Sequence, residues 1–208
     1  MTIRSIYNIY SNFYDLLFSS TFNDARKKAI TSLDLDNSKK TIEFGIGTGL
    51  SLKYFPRNYK GLTGIDLSDK MLAKCTEKVK YYNMNVDLEL MDCEHTTFQD
   101  ETFDYVILMY VYSVTQNPHQ LLKEAFRICK SSGSVIIVNH FSNFRSDKLN
   151  FFEYLLSFFE NSVGFRSKFS FREYITDKKL KVDKLVNANL FSITKVIFLN
   201  KSDNLHIN

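Results

Sequence analysis

The 208 residues carry 27 basic and 23 acidic side chains, a net charge of +4, with 44% hydrophobic and 24% charged residues. That balance belongs to an ordinary globular domain and excludes a disordered chain, while two prolines and seven glycines leave no flexible linker. The charge is spread thinly, slightly acidic over residues 41–140 and basic on both flanks, which excludes a nucleic-acid footprint and suits contact with a weakly anionic bilayer.

In chain order, Ile3, Ile6, Tyr7, Tyr10, Phe13, Tyr14, Leu17 and Phe18 recur at three- and four-residue steps, so residues 3–18 read as an amphipathic helix. A second helix is expected over Asn23 to Leu33, with Asn23 as its N-cap. Thr41 to Phe44 reads as a short strand leading into Gly45, Gly47 and Gly49, then a helical stretch from Leu50 to Tyr54 that Pro56 stops. A second strand is expected at Gly61–Asp66, then a helix at Asp69–Tyr82 capped by Ser68. Val86–Met91 alternates as a third strand, and Phe103–Tyr110 is apolar enough to be a strand covered on both faces. Pro118 opens a helix to Lys130, and Ser132-Gly133 is expected to turn the chain into a fifth strand, Ser134–Asn139.

Strands alternating with helices imply a parallel sheet with helices on both faces. The end of the chain departs from this. Leu180–Val186 and Phe191–Leu199 read as strands joined by only four residues, which allows a hairpin and not a helical crossover, so the last strand runs antiparallel. The whole reads as one α/β domain, 1–208, with N-terminal helices over 1–40 and an aromatic-rich insert over 141–179. Residues 141–171 hold nine of the chain's nineteen phenylalanines, and a helix over 148–160 is apolar on more than one face.

Three cysteines without a Cys-x-x-Cys pair point to a reducing compartment, and beyond Cys93 with His95 no other Cys/His pair has metal-ligand spacing, so no metal is expected. Arg4, Asn8, Asn12 and Asp15 interrupt the N-terminal apolar residues, and the longest apolar run, 105–114, is too short to span a bilayer. A cytoplasmic protein that is not integral to the membrane is the expectation.

The chemistry-bearing stretch is Thr41–Gly49. Glycines at a strand-to-helix bend take positive φ and admit a ligand where a Cβ would collide. The spacing is Gly-x-Gly-x-Gly, and a dinucleotide fingerprint would need a glycine where Leu50 stands. Asp66, closing the second strand, is placed to accept both hydroxyls of a ribose. The glycines alone are equally a plain connecting turn. Glu43 argues for a site, because a carboxylate inside an apolar strand needs a reason.

Thr41–Gly49, the Gly64-Ile65-Asp66-Leu67-Ser68 ending and Met71-Leu72 resemble a class I S-adenosylmethionine-dependent methyltransferase. More narrowly, Gly45 to Leu52, Met91-Asp92-Cys93-Glu94-His95, Phe103 to Pro118, Val138-Asn139-His140 and Tyr14-Asp15 resemble the soluble bacterial phosphatidylethanolamine N-methyltransferases. The resemblance implies a Rossmann-like methyltransferase fold: a mostly parallel seven-stranded sheet with an antiparallel last strand, helices on both faces and an N-terminal amphipathic helix. It implies S-adenosylmethionine as cofactor, with Gly45, Gly47 and Gly49 closing on its amino-acid portion and Glu43 orienting that loop or meeting the ammonium through water. Asp66 takes the ribose, Leu67 and Met71 flank adenine, Asp92 accepts from the adenine amino group with the Cys93 backbone beside it, and Met109 stands at the strand ends. For Asp92 a solvated loop acid, and for the methionines core filling, are the competing readings.

An amine acceptor must lose a proton before attack. His140 and Tyr14 are the candidate bases, and Tyr10, Tyr14 and Tyr110 are candidate ring faces for a cationic product. Packing roles for His140 and Tyr14 stay open. Arg166, Lys168 and Arg172 offer either a phosphate contact or a solvated basic face. The leading expectation is methylation of phosphatidylethanolamine and its mono- and dimethyl products toward phosphatidylcholine. The substrate is then a phospholipid, met by peripheral contact with the cytoplasmic face of the membrane, with no nucleic acid and no obligate protein partner. The alternatives are a methyltransferase for another small acceptor, such as a quinone precursor, and a cofactor-binding protein without turnover.

Overall fold

The structure is a computed structural model, and it describes residues 23–112, 114–140, 180–188 and 194–204. Seven strands form a single sheet: β1 (Thr41–Phe44), β2 (Leu62–Asp66), β3 (Val86–Leu90), β4 (Phe103–Met109), β5 (Cys129–His140), β6 (Lys184–Asn187) and β7 (Thr194–Asn200). Their order across the sheet is β3-β2-β1-β4-β5-β7-β6. The pairs from β3 through to β5 are parallel, and β7 lies antiparallel to both β5 and β6. The order reverses direction between β1 and β4, and the space beyond the carboxyl ends of those two strands is where such sheets bind ligands.

β4 shows why the middle of the sheet reads as continuously apolar. Val106 and Leu108 pack with Leu121, Leu122, Ala125 and Phe126 of helix α3 (Pro118–Ile128) on one face. Ile107 and Met109 pack on the other, with Ala25, Ala29 and Ile30 of α1 (Asn23–Thr31) and Leu72 and Cys75 of α2 (Asp69–Tyr82). Successive side chains of a strand point to opposite faces, so a strand covered on both must be apolar throughout. Each fully buried aliphatic side chain in these two layers contributes about 1.5–3 kcal/mol.

The helix starts follow from local chemistry. The Ser68 hydroxyl accepts the Met71 N–H at 3.2 Å and caps α2, which ends at Asn83 in the left-handed conformation. Asn117 caps α3 ahead of Pro118.

Four expectations need correction. α1 ends at Thr31, and the buried side-chain oxygen of Asn23 accepts no hydrogen bond among the described residues, so Asn23 is not its cap. The stretch from Leu50 contains only one 3-10 turn, Leu52–Tyr54, because Pro56 leaves too little chain for an α-helix. Ser132-Gly133 does not turn the chain. β5 begins at Cys129 and carries an irregularity opposite Phe103–Tyr105, where a Cβ on Gly133 would lie 2.6 Å from the Asp104 carbonyl. The penultimate strand covers only Lys184–Asn187, since pairing with β7 begins there. The N-terminal helix expected over 3–18 and the aromatic insert lie outside the described residues.

Candidate functional site

The site grows from the bend after β1. Gly45, Gly47 and Gly49 have φ of +65°, +57° and +76°, the left-handed region that L side chains rarely adopt. Gly49 faces inward: a Cβ there would lie 2.7 Å from Leu52 Cδ1 and 2.8 Å from Cys75 Sγ. Gly47 faces open space, since a Cβ there would meet nothing closer than 3.9 Å. One glycine therefore serves packing and the other keeps a concavity clear.

Side chains from several elements hold the bend. The Gly47 N–H donates to Asp66 Oδ2 at 2.9 Å, while Asp66 Oδ1 accepts the Ser68 N–H at 2.8 Å. Lys78 on α2 donates to the Thr48 carbonyl at 2.8 Å. Cys93, after β3, is buried, and burial raises the pKa of its thiol well above the ordinary value. Asp66 thus spends one lone pair on each oxygen and keeps others for incoming hydroxyls. Burial raises its pKa against those two N–H bonds.

Glu43 lies under the loop, 3% exposed, and accepts the Ser51 hydroxyl at 2.6 Å. Desolvation pushes its pKa up to about 7, and the Ser51 bond and the Arg26 charge oppose that rise without cancelling it. Arg26, Glu43, Gly45, Gly47, Ser51 and Met109 share one pocket of about 280 Å³, including the part open to solvent. The Arg26 guanidinium sits 5.0 Å from the centre of the Tyr110 ring. Tyr110 has φ +60° at the end of β4, and its N–H donates to the Val138 carbonyl at 2.8 Å.

The structure thus brings Glu43, the glycines, Asp66, Cys93 and Met109 together around the carboxyl ends of β1, β2 and β4. Leu67 is 39% exposed beside Asp66, and Met71 is fully buried in the first turn of α2. Asp92 follows β3 and accepts the Glu94 N–H at 2.9 Å. One face of the Tyr110 ring, read from the sequence as available to a cation, is occupied by Arg26. His140 ends β5, its backbone paired with Thr194. Tyr14, Tyr10, Arg166, Lys168 and Arg172 lie outside the described residues.

Two residues escaped sequence reading. Arg26 is an arginine only 4% exposed, on a helix before the first strand, and no motif marks it. Asn139 is 1% exposed, and neither atom of its carboxamide finds a partner among the described residues. A polar residue in a strand-end tripeptide was the signal for the second. Among the described residues no His, Cys, Asp and Glu cluster could hold a metal, and no helix is long and apolar enough to cross a membrane.

These residues fit a nucleoside carrying an amino acid. Asp66 offers carboxylate acceptors for a ribose, Gly47 clears the approach, and Arg26 and Glu43 offer opposite charges to a zwitterion. A sheet of this order with such a bend defines the fold of an S-adenosylmethionine-dependent methyltransferase. Residues 42–137 match the family model described as "Methyltransferase domain". The chain is 35% identical over 171 residues to "Phosphatidylethanolamine N-methyltransferase" of Cereibacter sphaeroides, covering 81% of this chain and 83% of that protein. It is 26% identical over 166 residues to "Ubiquinone/menaquinone biosynthesis C-methyltransferase UbiE" of Geotalea daltonii, covering 75% and 69%. In fold it is similar to an SAM-dependent methyltransferase from Aquifex aeolicus, with a TM-score of 0.68 at 16% identity, covering 91% of this chain and 97% of that one. The chain belongs to the S-adenosylmethionine-dependent methyltransferase family and uses that cofactor.

Proposed function

We propose that this enzyme methylates the amine of phosphatidylethanolamine and of its mono- and dimethyl products, toward phosphatidylcholine, while touching the cytoplasmic face of a membrane. The observation that carries this reading is the 35% identity, over four-fifths of the chain, to a protein named for that reaction. The basic flanks and the phenylalanine-rich segment 141–171 support a bilayer contact.

When bound, S-adenosylmethionine supplies an electrophilic methyl on a sulfonium, and sulfur departs as a neutral thioether. The chain's own work is to seat that group, align the acceptor and exclude water. Asp66 and the bend fix the nucleoside end, and Glu43 holds the loop from below. The acceptor nitrogen must shed a proton before it attacks; His140 and Tyr14 are this chain's candidates for that step, while Tyr110 is a candidate ring face for the cationic product.

The test is incubation with methyl-labelled cofactor and phosphatidylethanolamine vesicles, followed by thin-layer separation of the lipids. Label in mono-, di- and trimethylated lipid is expected. Label only in an added demethylmenaquinone, with none in any phospholipid, moves the assignment to a quinone precursor, the reading that the Geotalea daltonii relative favours. Vesicle flotation checks the surface contact: Phe151→Asp with Phe158→Asp is expected to release the protein, and unchanged flotation counts against it.

A further inference from the structure

The loop between β4 and α3, residues 110–117, is tied to both loops of the cofactor site. On one side it packs against the bend: Val111 Cγ2 lies 3.0 Å from where a Cβ on Gly45 would stand. On the other, Glu94 reaches across from the loop after β3. Its carboxylate accepts the Thr115 hydroxyl, and the Asn117 N–H at 2.9 Å, while its backbone carbonyl accepts Gln120 Nε2 at 3.1 Å. Asn117-Pro118-His119-Gln120 has the spacing of a capping box, in which the glutamine would turn back onto the Asn117 N–H. Asn117 does cap α3, but Gln120 turns to Glu94 instead, and Glu94 takes the N–H that Gln120 leaves. A local bond is thereby exchanged for one between two loops, and the start of α3 is set by a residue 23 positions away.

Glu94 is also joined to the ligand side of its own loop. Its N–H donates to Asp92 Oδ1 at 2.9 Å, and Asp92 is the carboxylate proposed to meet the adenine amino group. A donor seated over β1 and β2 leaves the carboxyl end of β4, across the switch in strand order, to the acceptor. We propose that Glu94 is a positioning residue: it sets the β4–α3 loop, and with it the acceptor side of the site, against the loop that meets adenine. The entry to that loop agrees with this. Tyr110 has φ +60°, which a side chain of its size keeps only where its surroundings over-determine it. The proposal rests on a methyl transfer whose acceptor meets this loop, whether that acceptor is a lipid amine or a quinone precursor.

The test measures acceptor turnover and donor affinity side by side on the full chain. Initial rates are taken with methyl-labelled cofactor and phosphatidylethanolamine vesicles, and the S-adenosylhomocysteine Kd by calorimetry. Glu94→Ala is expected to lower kcat/KM for the acceptor by about 10- to 100-fold, the range of two lost hydrogen bonds to a carboxylate, and to change the Kd less than about threefold. Glu94→Gln keeps an oxygen for Thr115 and Asn117 and is expected to stay within about threefold of wild type in both. Thr115→Val removes one of the two bonds and is expected to fall between. Added to Glu94→Ala it is expected to have no further effect, since its partner is already gone. A Kd that rises as much as kcat/KM falls places Glu94 in the adenine site and overturns the proposal. Unchanged turnover in Glu94→Ala overturns it too, as does a Glu94→Gln loss equal to that of Glu94→Ala, which makes charge the cause. If the wild type labels only demethylmenaquinone, the lipid reading fails, and the same comparison on that acceptor decides this proposal. If Glu94→Ala does not fold, Thr115→Val against wild type carries the comparison.

Discussion

Glu43 gives the most quantitative consequence of the site. Its pKa lies at about 7, against an ordinary 4.5, because the carboxyl is buried and the Ser51 hydroxyl and Arg26 compensate only in part. In the unfolded chain Glu43 ionises near 4.5, while the fold keeps the proton until near 7. Between those values the native state binds more protons, so stability falls as pH rises through the window and is flat above it. A shift of this size corresponds to about 3 kcal/mol lost across the window. With the cofactor's ammonium proposed to meet Glu43, binding favours the carboxylate, and S-adenosylhomocysteine is expected to expel about nine-tenths of a proton at pH 6 and about one-tenth at pH 8. Calorimetry at pH 6 in buffers of different ionisation enthalpy reads that number from the slope of observed heat against buffer heat. Glu43→Gln is expected to lose the slope and flatten the pH dependence of urea midpoints between pH 4.5 and 7. A wild-type slope near zero at pH 6, or the same slope in Glu43→Gln, refutes the reasoning.

Two further substitutions separate fold from binding. Asp66→Ala removes both the carboxylate proposed to take the ribose and the anchor of the Gly47 N–H, so the S-adenosylhomocysteine Kd is expected to rise by about 100-fold by calorimetry, with Asp66→Asn milder because one acceptor oxygen remains. Gly49→Ala and Gly47→Ala share the positive-φ penalty but differ in space. Chemical denaturation is expected to show a loss of about 2–4 kcal/mol for Gly49→Ala, which collides with Leu52 and Cys75, and about 1 kcal/mol for Gly47→Ala, which does not. Ligand affinity is expected to reverse the order, since only Gly47 faces the pocket.

The legible parts of the chain were those where one local rule decides. The continuous apolar run of β4, the Ser68 cap and the two-sided burial of the central strands follow from residues that are neighbours in sequence or in a helical turn. The short link between the last strands fixed the antiparallel pairing by length alone. What escaped depends on distance in the chain. Arg26 reaches the loop only because α1 packs over β5 and β7 and against the Leu52–Tyr54 turn, and nothing around residue 26 signals it. The irregular start of β5 escaped for a like reason: Ser132-Gly133 has the composition of a turn, but Lys201, 72 residues from Cys129, donates to the Cys129 carbonyl at 2.7 Å and ties that segment down.

The glycine bend explains why a site can rest on so few residues. Three left-handed glycines would leave a loop free to sample many conformations, and ordering each residue costs about 1–2 kcal/mol. Here the ordering is done before any ligand arrives. Asp66 holds the Gly47 amide, Lys78 the Thr48 carbonyl and Glu43 the Ser51 hydroxyl, from β2, α2 and β1 respectively. A ligand that meets this loop therefore spends little binding energy arranging it. The residues assigned to the cofactor are thus tied to the fold twice, once through the pocket and once through the loop they immobilise. Lys78→Met, which touches only the second, isolates that contribution as a loss of affinity without loss of any group facing the ligand.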